Sequence, residues 1–377
     1  MEKGEEMNKK LGMTAVIAAT LLVVASCSSS DEGTESASSA TATSSESSEA
    51  SESAASSVLP VAMLIAQGGL GDQSYNDLAN EGLVRCSEEL GMESTAVESN
   101  DVVGEADQMI TRASQGDFGL VIDLEYAHGE ALPRIAAEYP DVDYAILNLE
   151  APGANVASVL FQEQEGSYLA GALAARMTSV SDNPKVNAEK VIGVIGGSKS
   201  AGIDKFLSGF IQGANETDPD VKVLVAYTDS FGDPAKGKQL AEAMFDQGAD
   251  IVYAVAGGSG AGVIEAARDA NRYAIGVDTD QDSLAPGNVL TSMIKRADVA
   301  VCSLMESYKN GDFPGGQTIN LGLSEDAVGL SDFSFTGEEI PEEFKAEVET
   351  LSEAIKSGAT PVWNVVTDGY PTWLNES

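Results

Sequence analysis

The sequence predicts an α/β protein made of two doubly wound lobes, and three features carry that expectation. From residue 59 onward, short apolar runs alternate with segments whose apolar residues recur at helical spacing. The alternation starts twice, at Val61 and again at Val191. The runs are also apolar throughout, as in Val191-Ile192-Gly193-Val194-Ile195, rather than alternating apolar and polar. Continuous apolar runs mark strands buried on both faces of a parallel sheet, and strand–helix alternation at this spacing covers such a sheet with helices.

In the first series, strands are expected over 61–65, 94–97, 120–122, 144–147 and 156–161. Leu78, Gly82, Leu83, Cys86 and Leu90 keep a helical spacing over 78–90, with Ser74 or Asn76 as the cap and Gly91 as the stop. Further helices are expected over 104–115, 129–138 and 163–177. The last carries Gly166, Ala170, Gly171 and Ala174, which suit close packing. A polar connector over 183–190 leads to the second series. There strands are expected over 191–197, 221–227, 251–255 and 273–277, with helices over 203–215, 234–247 and 260–271. Pro234 after Asp233 suits the first turn of its helix. The remainder is less regular: strands over 289–293 and 318–323, helices over 296–310 and 341–356, and Trp363 and Trp373 packing the tail onto a lobe. Cys86 and Cys302 read as small core residues on helix faces, and His128 as a surface residue at a loop-to-helix junction.

The chain has 377 residues, enough for about two domains after the N-terminal segment is removed. That segment reads as an address. Met7-Asn8-Lys9-Lys10 suits a signal-peptide start, 11–24 is an apolar stretch too short to span a bilayer comfortably, and Val24-Ala25-Ser26-Cys27 resembles a bacterial lipobox. Residues 1–27 are therefore expected to be a lipoprotein signal peptide, with Cys27 acylated and holding the protein to the outer face of a cell membrane. A plain secretory signal is the alternative. Residues 28–58, almost all Ser, Ala, Thr and Glu, bury too little apolar area to order and read as a disordered tether.

The formal net charge of −39 excludes a nucleic-acid partner and any polybasic hold on anionic lipid. Three cysteines and one histidine exclude a disulfide scaffold and a Cys/His zinc site. No Gly-x-Ser-x-Gly elbow and no paired His/Cys arrangement points to an enzyme, and neither a cofactor nor a metal is expected.

Four loops at strand C-terminal ends carry the candidate site, because open α/β sheets bind ligands there. The first, Gly68-Gly69-Leu70-Gly71-Asp72-Gln73-Ser74-Tyr75-Asn76-Asp77, offers a ring at Tyr75 and polar handles at Asp72 and Asn76; an ordinary turn is the alternative. The second places Phe231 in Ser230-Phe231-Gly232-Asp233-Pro234, either mirroring Tyr75 across a cleft or packing under its own helix. The third is Gly257-Gly258-Ser259-Gly260-Ala261-Gly262. It fails the dinucleotide register, because its third required glycine falls on Val263, and it reads as backbone N–H groups open to an uncharged polar group. The fourth, Asp278-Thr279-Asp280-Gln281-Asp282, begins like a calcium loop. Ser283 then stands where that loop needs glycine and Val289 where it needs a bidentate Glu, so its carboxylates are assigned to ligand hydroxyls instead. Lys295 is a rare base in an acidic chain, reaching the cleft or pairing with a surface carboxylate.

In order and spacing these motifs, together with Gln164-Glu165-Gly166-Ser167-Tyr168-Leu169-Ala170-Gly171, Phe206, Gly209-Phe210, Gly213 and Thr291-Ser292-Met293-Ile294-Lys295, resemble the basic membrane protein family of substrate-binding lipoproteins. The resemblance runs from Val61 to about Phe333. It implies a type I periplasmic-binding-protein fold, with a ligand between two lobes joined by three crossings near Gln162, Asp280 and 311–316. The lobes are then 59–162 plus 281–312, and 163–280 plus 313–377. It also implies a monomeric receptor serving an ABC permease and its ATPase, with a purine nucleoside as ligand. Two rings sandwich the base in the family's nucleoside receptors, matching Tyr75 and Phe231. Gly69, Asp72, Ser74, Asn76, Gly257, Gly258, Gly260, Asp278 and Lys295 complete the implied site. Two departures bear on the ligand. Ala66-Gln67 replaces the usual acid before the glycine pair, and Asn148 replaces the acid that often closes the fourth strand. A sugar or autoinducer-like ligand, or a surface signalling role without transport, is the alternative.

Overall fold

Two six-stranded sheets organise the chain, and the apolar runs form their centres. The computed structural model describes residues 58–374; the expected signal peptide, Cys27 and the expected tether up to residue 57 lie outside the described residues. In chain order the elements begin β1 Val61–Leu64, α1 Tyr75–Leu90, β2 Ser94–Val97, α2 Ala106–Gln115, β3 Leu120–Asp123, α3 Ala131–Ala136, β4 Asp143–Leu147, β5 Val156–Phe161 and α4 Glu163–Met177. The second series is β6 Val191–Gly196, α5 Ala201–Thr217, β7 Lys222–Tyr227, α6 Pro234–Asp246, β8 Ala249–Val255, α7 Gly260–Ala270 and β9 Tyr273–Asp278. The chain closes with β10 Val289–Lys295, α8 Ala297–Asn310, β11 Thr318–Leu321, β12 Val328–Leu330, α9 Glu342–Lys356 and α10 Val365–Asp368.

The first sheet runs β11-β5-β4-β3-β1-β2 and the second β12-β10-β9-β8-β6-β7. All ladders are parallel except β10–β12. Central β1, β3, β6 and β8 are buried along their whole length, whereas edge strands β2 and β7 are partly open, which is why only the former read as unbroken apolar runs. Helices α4 and α5 pack very closely. A Cβ on Gly171 would lie 2.0 Å from the Phe210 carbonyl oxygen, and one on Gly213 would lie 2.1 Å from that of Tyr168. The tail packs on α5, where Ser208 Oγ donates to the Trp363 carbonyl at 3.1 Å.

The chain does cross between the lobes near Gln162, but the other two crossings differ from expectation. Strand β10, expected in the first lobe, pairs with β9 in the second sheet, with Met293 beside Val277. Strand β11, expected in the second lobe, pairs with β5 in the first sheet, with Asn320 beside Leu160. The second crossing is therefore between Lys295 and α8, and the third lies between β11 and β12, over residues 322–327. Periodicity identifies a strand but carries no information about which sheet it joins.

Two single-residue expectations are also corrected. Cys86 and Cys302 form a disulfide with their Cα atoms 5.5 Å apart, tying α1 to α8 inside the first lobe across a sequence separation of 216. His128 is buried, not on the surface: Nδ1 lies 2.8 Å from Asp123 Oδ2 and Nε2 lies 2.9 Å from the Val102 carbonyl. Burial alone would lower its pKa, but the Asp123 carboxylate outweighs burial and holds it above the ordinary value.

The disulfide closes a long loop, so it constrains the unfolded chain. Replacing both Cys86 and Cys302 with Ser is expected to cost about 2–4 kcal/mol. Thermal denaturation checks this, and reductant should lower the midpoint of the native protein but not of the variant.

Candidate functional site

The cleft between the lobes holds a cavity of about 250 Å³, close to the small end of the roughly 300–1,000 Å³ range of small-molecule sites. Its walls come from loops at the C-terminal ends of strands in both sheets. Ala66, Asp72, Tyr75, Asn76, Glu125 and Asn148 belong to the first lobe. Glu163, Phe206, Phe231, Gly257, Asp278 and Lys295 belong to the second.

The loop after β1 is built around Asp72. Its carboxylate accepts the backbone N–H groups of Ser74 at 2.9 Å, Asn76 at 3.0 Å and Asp77 at 3.1 Å, so it satisfies the donors at the start of α1. Capping was expected from Ser74 or Asn76. Asn76 Oδ1 instead accepts from the Ala66 N–H at 3.0 Å. Ser74 Oγ donates across the cleft to Asp278 Oδ2 at 2.5 Å. Gly91 ends α1 in the left-handed region, as expected. Burial pushes the Asp72 carboxyl up despite its three backbone donors.

Tyr75 and Phe231 line the same cavity from opposite lobes. The Tyr75 hydroxyl accepts from Asn148 Nδ2 at 2.8 Å, and burial pushes its pKa well above the ordinary value, so it stays neutral. Phe231 does not pack under its own helix: its ring lies against Gly197, where an added Cβ would come within 2.2 Å of it. Two non-glycine cavity residues, Asn148 with φ 71° and Asp278 with φ 69°, hold left-handed backbone conformations. Such strain persists only where the surrounding structure enforces it. Asn148 Oδ1 has no hydrogen-bond partner and is an acceptor free for a ligand.

The floor of the cavity is an ion cluster. Glu163, 1% exposed, is 2.6 Å from Lys205 Nζ and 3.0 Å from Lys295 Nζ. Burial alone would raise its pKa, but the two ammonium groups hold it below the ordinary value. Lys205 also donates to the Phe161 carbonyl at 2.8 Å. Lys295 is thus no surface pair. Its Nζ sits 4.6 Å from the centre of the Tyr75 ring, 5.0 Å from that of Phe161 and 5.6 Å from that of Phe206, a cage of ring faces around a buried cation.

Of the expected residues, Asp72, Tyr75, Asn76, Asn148, Phe231, Gly257, Asp278 and Lys295 line the cavity together. Four do not line it. Gly69 lies in an outer, more polar part of the cleft beside Glu98 and Phe231. Ser74 is spent on Asp278. Gly258 faces Asp72 where the lobes touch, and Gly260 starts α7 against Ala254. The sequence reading missed Glu125, Glu163, Ser198, Ser200 and Phe206. Glu163 carried one legible signal, an acid directly after the first crossing in a chain with few bases. Glu125 is occupied structurally: its carboxylate accepts from the Gln67 N–H at 2.9 Å, Gln67 Nε2 at 3.2 Å and the Ala127 N–H at 2.9 Å.

Two ladders of polar contacts hold the lobes together at this face. Beside Ser74–Asp278, Gln281 Nε2 donates to the Gln73 carbonyl at 2.8 Å. The arrangement presents two aromatic walls, an ion-paired floor and a few acceptors.

Residues 59–360 match the family described as ABC transporter substrate-binding protein PnrA-like. A "CD4+ T-cell-stimulating antigen" of Listeria innocua is 32% identical over 92% of this chain and 96% of its own length. "Basic membrane protein A1" of Borrelia garinii is 32% identical over 79% of this chain and 87% of its own. Among solved structures, an ABC transporter solute-binding protein from Aeropyrum pernix superposes with a TM-score of 0.75 at 28% identity, covering 81% of this chain and 93% of that one.

Two changes probe the site's electrostatics. Glu163→Gln leaves the Lys205 and Lys295 ammonium groups buried without their shared carboxylate and is expected to cost about 3–5 kcal/mol in urea denaturation; adding Lys205→Met should recover part of the loss. A loss below about 1 kcal/mol would contradict the ion cluster. For Asp278, burial raises the pKa from 3.8 to about 6, ahead of the opposing pull of Lys295 and the Ser74 hydrogen bond. A raised carboxyl pKa means that the folded state binds more protons, so stability falls as pH rises from about 4 through 6. The gap is worth about 3 kcal/mol at 1.36 kcal/mol per pH unit. Asp278→Asn should therefore raise the melting midpoint of the ligand-free protein at pH 7.5, with the gain vanishing near pH 4.

Proposed function

This chain belongs to the PnrA-like family of ABC transporter substrate-binding proteins, and from that premise we propose that its cleft captures a purine nucleoside for a membrane permease and its ATPase. The family consists of solute receptors rather than enzymes. The observation that carries the nucleoside reading is the pair of rings, Tyr75 and Phe231, lining one cavity from opposite lobes. A flat base stacks on such rings at about 1–3 kcal/mol each, with no need for a charged partner. Asp278 and Asn148 Oδ1 supply acceptors for ribose hydroxyls and base N–H groups. Glu163 and Asp278 both act on Lys295, so the floor offers a phosphate little free positive charge, and a nucleoside fits better than a nucleotide.

Capture proceeds by hinge closure. The open lobes admit the ligand, closing excludes water, and the closed face is what the permease reads. The Ser74–Asp278 and Gln281–Gln73 contacts belong to the closed state and break on opening. Acylation of Cys27 and the acidic tether hold the receptor at the outer face of the membrane, near its permease. No helix among the described residues is long and apolar enough to cross a membrane.

The test is a thermal-shift panel of purine and pyrimidine nucleosides, free bases, pentoses and hexoses on the full chain. A ligand at a hundred times its Kd adds about 2.7 kcal/mol of stability, visible as a shift of a few degrees. Inosine, guanosine or adenosine should shift the midpoint and ribose should not. Phe231→Ala should weaken the nucleoside by about 1–3 kcal/mol. A response only to sugars, or to none of the panel, would overturn the nucleoside reading.

A further inference from the structure

His128 is the one histidine of the chain, and it is fully buried together with Asp123. Both of its ring nitrogens face acceptors. The Val102 carbonyl, 2.9 Å from Nε2, can only accept, so Nε2 carries a proton. The Asp123 carboxylate, 2.8 Å from Nδ1, is likewise an acceptor when ionised. A neutral imidazole has a single N–H, so beside an ionised Asp123 it would set lone pair against lone pair at one of these two buried contacts. An imidazolium serves both acceptors at once and neutralises the carboxylate. Glu125 adds its charge in the same sense. The charged groups on the neighbouring elements have other partners or face outward. Arg134 on α3 pairs with Asp107, and Glu130 before that helix is exposed. On the segment that carries Val102, Glu98 accepts the Leu70 N–H, Asp101 the Gly104 N–H and Glu105 the Ser99 hydroxyl. Strand β4 ends in the uncharged Ile146 and Leu147.

These contacts join two walls of the cleft. Leu124, Glu125, Tyr126 and Ala127 line the ligand cavity, and Val102 belongs to the segment 98–103 that lines the outer, polar part. Asp123 passes the anchorage on, because its Oδ1 accepts the Glu125 N–H at 3.0 Å. The Glu125 carboxylate then holds the Gln67 N–H and the Ala127 N–H, and Gln67 lines both parts of the cleft. We propose that His128 is a positioning residue of the ligand site: its imidazolium, donating to Asp123 and to the Val102 carbonyl, fixes the 124–127 wall of the cavity against the 98–103 wall of the outer cleft. His128 does not itself line the cavity, so it acts on a solute only through the segment it holds. The proposal takes from the functional reading only that this cavity is where the solute sits, whatever the solute is.

The test begins with ¹⁵N NMR of the histidine-labelled full chain at pH 7.5, where a single histidine gives an unambiguous ring signal. An ordinary imidazole is about nine-tenths neutral at that pH. Both ring nitrogens should instead carry protons, and Asp123→Asn should return the ring to one protonated and one bare nitrogen. A bare nitrogen in the unmodified chain, or an unchanged ring in Asp123→Asn, overturns the imidazolium. The second arm follows amide hydrogen exchange over residues 64–70 and 123–129 in two variants. His128→Leu, which has no donor, should lose protection in both segments and bind adenosine about tenfold more weakly, the loss expected when a charge-assisted hydrogen bond goes. His128→Gln, whose amide carries two N–H groups for the same two acceptors, should recover part of both. A folded His128→Leu with unchanged exchange and affinity, or equal losses in the two variants, overturns the positioning role. Because His128→Leu can fail to fold, the ring signals of the unmodified chain stand as an independent arm. Failure of the unmodified chain to bind adenosine counts against the nucleoside reading alone; the ring and exchange results need no ligand and still decide the role of His128.

Discussion

The buried cluster of Glu163, Lys205 and Lys295 sets the geometry on which the cleft depends. Glu163 opens α4 directly after the first crossing, Lys295 ends β10 directly before the second, and Lys205 reaches back to the Phe161 carbonyl at the end of β5. Two of the three interlobe connections are therefore fixed to each other by charge. A buried charge cluster is a poor source of net stability, because desolvation offsets most of the attraction, but losing Glu163 leaves two ammonium groups inside without a carboxylate. That asymmetry makes the register of the crossings hard to change. It also fixes Lys295 against the Tyr75 ring, so the orientation of the aromatic wall follows from the same cluster.

The cleft is rich in acids yet offers few of them to a solute. Asp72 is committed to three backbone N–H groups and Glu125 to the loop at Gln67 and Ala127. These carboxylates shape loops. Asn148 Oδ1, the Asp278 carboxylate, the Ser198 and Ser200 side chains and ring faces line the cavity beside them. The left-handed backbone at Asn148 and Asp278 marks the same two positions from the backbone side.

Much of this was legible in the sequence because it is local. Strands β2 and β5 and helix α4 were read with their observed bounds, since a strand's run and a helix's spacing are written in adjacent residues. The facing loops of Tyr75 and Phe231 were legible for the same reason, as each follows a clear strand. What was not legible is pairing over distance. Nothing near Cys86 indicates Cys302, and nothing in the strand 289–295 says that it joins β9 rather than β5. His128 sits among polar loop residues and looks exposed, yet Asp123 and the Val102 carbonyl enclose it. Ser74 occupies the position of a helix cap, but a partner 204 residues away takes its hydroxyl.

The interleaving of the lobes bears on how the chain is made. Strand β11 completes the first sheet at its edge, and α8 covers α1, yet both are encoded after all but one strand of the second sheet. During vectorial synthesis and export, the first lobe must wait with α1 uncovered until residues 297–321 emerge. The second lobe, by contrast, has five of its six strands in hand by residue 295. The lobe encoded first is therefore the one finished late, and a chain interrupted before residue 297 leaves Cys86 as an unpaired thiol on an exposed apolar helix, a ready substrate for quality-control proteolysis.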